Sequence, residues 1–171
     1  MELKLPVADP SPYPPVKVQG KSPVCARAML QNLGGSSSEM STVAQYFYNC
    51  TVLSSTYPKA AEYFHSIAIV EMHHLSVFAQ LAFQLGADPR LWSYRDGRTS
   101  YWSPGVLTYS HDPALLLNQA AVRENRTVTE YRRLAETLPD RDICAVLNRL
   151  ILDEEQHVSV FRRLLQELPK S

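Results

Sequence analysis

One pattern occurs twice in this 171-residue chain: a lone glutamate, then a Glu-x-x-His on the next helix. In the first copy Glu39 is followed seven residues on by Tyr46, then by Glu71, His74 and Phe78. In the second, Glu124 is followed seven residues on by Tyr131, then by Glu154, His157 and Phe161. The interval from lone glutamate to Glu-x-x-His is 32 residues in one copy and 30 in the other. A single Glu-x-x-His is weak evidence, because any helix brings residues i and i+3 to one face. The duplicated set with matched aromatic spacing is strong. Four carboxylates and two imidazoles in this order are what a four-helix bundle needs to hold two metal ions in its core.

The rest of the chain divides to suit such a bundle. Residues 1–22 carry Pro6, Pro10, Pro12, Pro14 and Pro15 and have almost no helical periodicity. Proline fixes φ and removes the amide donor, so this segment reads as an extended arm ahead of a single helical domain, residues 23–171. Ser22-Pro23 is a cap followed by proline at the first helical position, opening a short helix that ends at Gly34-Gly35, a C-cap signal. Four long helices follow. The first is capped by Ser36–Ser38. The second runs from near Pro58 to Gly86, the third from Asp112-Pro113 to about Leu138, and the fourth from Pro139-Asp140 to about Leu168. Helices one and two are joined by a short link, as are three and four. The ~25-residue connection between the two hairpins is long enough to cross the bundle, and links of that length in a compact domain usually have such a job. It holds Trp92, Tyr94, Tyr101, Trp102 and Tyr109 and has room for a short β-hairpin.

Helix rise predicts that the six polar residues meet. Glu39 lies ~15 residues before the first hairpin turn and Glu71 ~13 after it, so at ~1.5 Å per residue both sit roughly 20 Å from the turn. Glu124 and Glu154 each lie ~14 residues from the second turn, so their heights match again. Four carboxylates at one level of an apolar core are costly if unpaired, and two divalent cations balance them formally. The expected arrangement has Glu71 and Glu154 bridging, Glu39 and Glu124 terminal, and His74 and His157 one to each metal. The metals should lie about 3.5–4 Å apart, as in other two-metal sites. Oxygen-rich ligation with one nitrogen suits iron or manganese better than structural zinc.

Neighbouring residues leave alternatives open. The sequence IAIVEMHHLSVFAQL is too apolar for a wet helix face. His73 is rotated ~100° from His74 and should pack or lend support rather than ligate. Glu155 is similarly out of register and reads as solvated. Tyr46 and Tyr131 are expected to stack above Glu39 and Glu124, either as core aromatics or as hydrogen-bond donors to a ligand carboxylate or a bound oxidant. Asp153 either faces solvent or accepts the free N–H of a ligand histidine. Cys25, Cys50 and Cys144 are few, odd in number and widely spaced, so they form neither a disulfide framework nor a CxxC metal site and read as buried or surface thiols.

Composition removes other classes. Lys+Arg and Asp+Glu both number 17, which gives no reason to propose nucleic acid or an anionic membrane as partner. No apolar run approaches the ~20 residues of a membrane span, and MELKLPVADPSPYPP has no apolar signal region; the expected location is cytoplasmic. A homo-oligomer, at least a dimer, is expected, with the arm or the 87–111 crossover at the contact. The arm's Leu3, Leu5, Val7, Tyr13 and Val16 suit docking on a neighbour, and Trp92 and Trp102 suit an interface core. The alternative is that the arm folds back on its own subunit.

Over residues 34 to 168 the chain resembles the ferritin-like dimetal carboxylate superfamily, and within it the manganese-catalase-like and rubrerythrin-like bacterial proteins, including spore-coat forms. The resemblance rests on GGSSSEMSTVAQYFY, IVEMHHLSVFAQLAFQLGADP, ENRTVTEYRRL and LILDEEQHVSVF. It implies an all-α, ferritin-like four-helix bundle in which Glu39, Glu71, His74, Glu124, Glu154 and His157 are the six ligands of two iron or manganese ions. It implies a redox protein that decomposes hydrogen peroxide. The alternatives are a ferroxidase or oxygen-activating protein using dioxygen, and a structural, spore-associated protein that uses metal for folding only. This sequence has no four-cysteine rubredoxin-type iron site, so a peroxidase reading needs an external electron donor. A catalase reading does not.

Overall fold

The computed structural model describes residues 5–95 and 97–168, with Arg95 described by its backbone alone. Leu3, one of the apolar arm residues, lies outside the described residues. Five α-helices account for most of the described residues: α1 (Pro23–Gly34), α2 (Glu39–Leu53), α3 (Pro58–Gln84), α4 (Pro113–Thr137) and α5 (Arg141–Glu167). Side-chain capping of orphan amides starts every one of them except α3, which opens on Pro58 with no side-chain cap. Ser38 accepts from Ser41 N at the head of α2, Asp112 from Ala114 N at α4, and Asp140 from both Asp142 N and Ile143 N at α5. The crossover contains a short hairpin, for which the sequence left room, β1 (Trp92–Arg95) antiparallel to β2 (Arg98–Tyr101), and then a 3₁₀ turn at Pro104–Val106. Gln45 fastens it to α2 by a reciprocal pair of 2.8 Å bonds with the Thr108 backbone, and Trp102 Nε1 donates to Ser41 Oγ at 2.9 Å.

Side-chain pairing gives the helix directions. Tyr46 of α2 meets Glu124 of α4, and Glu39 meets Tyr131. As the number rises on α2 it falls on α4, so the two helices are antiparallel. The same holds for α3 and α5, where Glu71 faces His157 and His74 faces Glu154. The apolar core is divided in two by this polar layer. One cluster holds Met29, Phe78, Leu81, Tyr131 and Leu147, and the other Tyr46, Phe64, Ile67, Leu117 and Phe161. A core needs close packing rather than continuity, and each half is large enough to clamp one end of the layer.

Three sequence readings need adjustment. Gly34-Gly35 does not end α1 through a left-handed residue, since Gly35 sits at φ −74°. Glycine is needed at 34 for close approach: a Cβ there would lie 2.5 Å from the Trp92 amide nitrogen, where β1 crosses the helix. Second, α3 is long and apolar enough to cross a membrane, with mean hydropathy 1.3 over its most apolar window. The sequence reading missed this because Glu71 and His74 interrupt the run; here the helix turns those two residues inward against α5. Third, the described part of the arm lies along its own bundle, the alternative that the sequence left open. Leu5 N donates to Tyr63 Oη at 2.8 Å, Gln19 N to Asp140 Oδ2 at 2.7 Å, and Gln84 Nε2 to Val16 O at 3.0 Å. Its extended backbone leaves amides and carbonyls unpaired, and α3 and α5 offer them partners.

Candidate metal centre

The two Glu-x-x-His pairs project from α3 and α5, and the lone glutamates from α2 and α4. All six side chains are buried, at 3% exposure or less. They form two overlapping donor groups, Glu39–Glu71–His74–Glu154 and Glu71–Glu124–Glu154–His157, with the donor atoms of each within 4.8 Å of one another. Glu71 and Glu154 belong to both groups. Both histidines turn Nδ1 inward. His74 Nδ1 lies 3.1 Å from Glu71 and 3.0 Å from Glu154, and His157 Nδ1 lies 2.9 Å from Glu71 and 3.5 Å from Glu154.

The donor atoms are crowded without being satisfied. Among the described residues, Glu71 Oε1, both Glu154 oxygens and His157 Nδ1 are buried without a well-formed hydrogen bond, although Glu71 Oε1 lies 2.9 Å from His157 Nδ1 and Glu154 Oε1 3.0 Å from His74 Nδ1. Buried polar atoms are seldom left in this state, and a cation shared among them would satisfy all four. Proton affinities point the same way. Burial, then the charges of Glu71 and Glu154, push the Glu39 and Glu124 carboxyls well above the usual range. Burial also pushes Glu71 up, but facing His157 and His74 outweigh it and hold the carboxyl well below its ordinary value. Burial opposes charge on both histidines, yet the surrounding carboxylates hold them well above their ordinary value. The layer is short of positive charge, and divalent cations supply it by displacing protons. The donor chemistry therefore fits a dimetal carboxylate site.

The tyrosines do not stack above the glutamates of their own helices. Tyr46 Oη donates to Glu124, and Tyr131 Oη to Glu39. Seven residues of helix rise about 10.5 Å, beyond the reach of a same-helix contact, while the antiparallel partner helix brings the other glutamate level. The repeat phenylalanines cross over as well. Phe161 lies against Tyr46 at 5.3 Å and Phe78 against Tyr131 at 5.3 Å.

A profile of the Rubrerythrin family matches residues 35–165. The chain belongs to that family. No curated protein matches it in sequence. Among solved structures it is similar to KatB, a manganese catalase from Anabaena PCC7120, at 20% identity and TM-score 0.79, over 92% of this chain and 78% of that one. It is also similar to a dodecameric thioferritin, the bacterioferritin-related protein from Bacteroides fragilis, at 18% identity and TM-score 0.65, over 83% and 86% of the two chains. At these identities the likeness is one of fold: the ferritin-like bundle with its long crossover.

Behind the histidines stands a layer that sequence reasoning found only in part. Asp153 is fully buried and its Oδ2 lies 3.1 Å from His74 Nε2. It also takes Asp9 N at 2.7 Å and the Tyr13 hydroxyl, and Arg149 Nη1 lies 2.8 Å away. These contacts outweigh burial and hold its carboxyl well below the ordinary value. His157 Nε2 bonds instead to Val7 O at 2.8 Å. Arg149, Tyr13 and Val7 were not foreseen. Arg149 had a signal: a cation one turn before Asp153 on the same inward stripe of α5. Val7 had none, because it acts through its backbone. His73 is exposed and meets the Tyr13 ring edge-on at 4.5 Å, and Glu155 pairs with Arg132.

On the opposite face, a polar cavity of about 570 Å³ opens between α2, α4 and the crossover and reaches Glu39 and Tyr131. Ser37, Asn118, Arg123, Arg126 and Thr127 are among its walls. Cys25, Cys50 and Cys144 are free thiols.

Proposed function

We propose that this protein is a dimetal redox enzyme that decomposes hydrogen peroxide. The observation that carries the reading is the pair of four-residue donor groups sharing Glu71 and Glu154. In this reading one ion is held by Glu39 and His74, the other by Glu124 and His157, and Glu71 and Glu154 serve both. Iron or manganese held there supplies a pair of one-electron redox centres. The chain's own residues supply position and access. The Tyr46 and Tyr131 hydroxyls fix one oxygen of Glu124 and of Glu39, leaving the other for a cation. The cavity on the α2/α4 face gives a small polar substrate a route to Glu39 and Tyr131. In a disproportionation, one peroxide is oxidised to dioxygen and another is reduced to water, so no external reductant is required.

The test is oxygen evolution from peroxide by protein loaded with manganese or with iron. Turnover that requires the metal and is abolished by Glu71→Ala supports the reading; equal turnover by metal-free protein contradicts it. The same oxygen-rich donor set favours a second reading, oxidation of ferrous iron by dioxygen or peroxide, which predicts uptake and oxidation of iron beyond two per chain. Tight metal binding with neither activity would favour a structural role. Assembly into a homo-oligomer belongs to the same proposal. Phe47 at 73% exposure and Phe83 at 69% are apolar surfaces that a second copy would cover, and light scattering would measure the mass.

A further inference from the structure

We propose that arm residues 7–13 form a latch on the histidine side of the metal layer, and that it governs retention of the ion held by Glu124 and His157 more than that of the ion held by Glu39 and His74. This rests on the dimetal reading and adds a part that the helical repeat does not contain.

The two histidines are backed by different things. His74 Nε2 lies on the carboxylate of Asp153, a residue of α5 itself, and Arg149 on the same helix holds that carboxylate at 2.8 Å. This support belongs to the bundle. His157 Nε2 has one hydrogen-bond partner among the described residues, the Val7 carbonyl of the arm. Remove the arm and His74 keeps Asp153, while His157 loses the acceptor that fixes its ring orientation and its inward Nδ1. A ligand histidine without such an acceptor binds its metal more weakly, by about 10- to 100-fold.

The latch is fastened at one point. Arg149, 6% exposed, donates from Nε to Ser11 O at 2.8 Å and from Nη2 to Asp9 O at 2.7 Å, and its guanidinium lies 4.0 Å from the Tyr13 ring centre. Asp9 N and the Tyr13 hydroxyl close the clasp on Asp153. Arg149 therefore holds the arm and the His74 support together. The segment it holds has no helix or strand of its own, so it can open without unfolding the bundle. The histidine side is thus sealed by a strap, while the glutamate side carries the cavity.

The test uses the full chain, a form lacking residues 1–13, and Arg149→Lys, which keeps the charge beside Asp153 but cannot reproduce the forked bonds to Asp9 and Ser11. Manganese binding is followed by calorimetry, metal release by competition with a chelator, and the fold by circular dichroism. The full chain should bind two manganese ions. The truncated form should keep one near the original affinity and bind the other about 10- to 100-fold more weakly, with correspondingly faster release. Arg149→Lys should change in the same direction by less, and its Asp9 amide should exchange hydrogen faster. If the truncated form does not fold, Arg149→Lys carries the test. Unchanged binding of both ions, or equal weakening of both, overturns the latch. Failure of the full chain to bind two ions would instead overturn the dimetal reading beneath it.

Discussion

The two hairpins of this bundle, α2/α3 and α4/α5, are near copies on the inside and unlike on the outside. Inside, each gives one lone glutamate, one Glu-x-x-His, one tyrosine and one phenylalanine, and even the crossed tyrosine contacts are reciprocal. Outside, the histidine of the first hairpin rests on a buried aspartate, and that of the second on a backbone carbonyl from the arm. Chemistry that depends on side chains at helical spacing was duplicated. Support that depends on what happened to lie behind each helix was not.

The two hairpins meet at Glu71 and Glu154, which belong to both donor groups. Glu71→Ala should remove both ions, lowering bound manganese from two per chain to near none. Glu39→Ala and Glu124→Ala should each remove one. Elemental analysis of dialysed protein decides between a common site and two separate ones.

The outer layer gives the next largest effect. Asp153→Ala leaves Arg149 buried without its ion partner, and breaking a buried pair in this way costs about 3–5 kcal/mol. Urea denaturation of metal-free protein should register that loss. In any folded fraction the ion at Glu39 and His74 should bind about 10- to 100-fold more weakly. A loss below 1 kcal/mol would mean that Arg149 is held by the arm alone.

The crossed tyrosines tie each hairpin to the other's glutamate. Tyr46→Phe should weaken the ion held by Glu124, and Tyr131→Phe the ion held by Glu39, each by about 1.5–3 kcal/mol, the usual worth of a hydrogen bond to a charged group. Two-site calorimetry would see the effect on the opposite hairpin. An effect on the tyrosine's own hairpin would contradict the crossing.

The smallest effect is alkaline. Burial, then the bond to Asp153, raises the Tyr13 hydroxyl from 10.0 to about 12. A group whose folded value is raised stabilises fully below its unfolded value and loses that contribution as pH rises through the folded one. The arm's grip on Asp153 should therefore weaken between pH 10 and about 12, visible as a tyrosine absorbance change that Tyr13→Phe removes.

The four long helices, the caps of three of them and the six inward residues were legible because each is written in spacing. Ser38, Asp112 and Asp140 cap where a polar residue precedes a periodic run, and i,i+3 pairs share a face whatever the fold. The crossing of the tyrosines was not legible, because it depends on which helices are antiparallel neighbours, and intervals within one helix do not contain that. The course of the arm was hidden for a different reason. Its prolines specify an extended chain but say nothing of where that chain lies, and Val7 contributes a carbonyl that any residue would have. The reason for Gly34, contact with Trp92 more than fifty residues on, was invisible for the same cause.

Anomalous diffraction from crystals of manganese-loaded protein would locate the ions directly. Two peaks per chain are expected, both within the layer formed by Glu39, Glu71, His74, Glu124, Glu154 and His157, one beside Nδ1 of each histidine. A single peak, or peaks outside that layer, would contradict it.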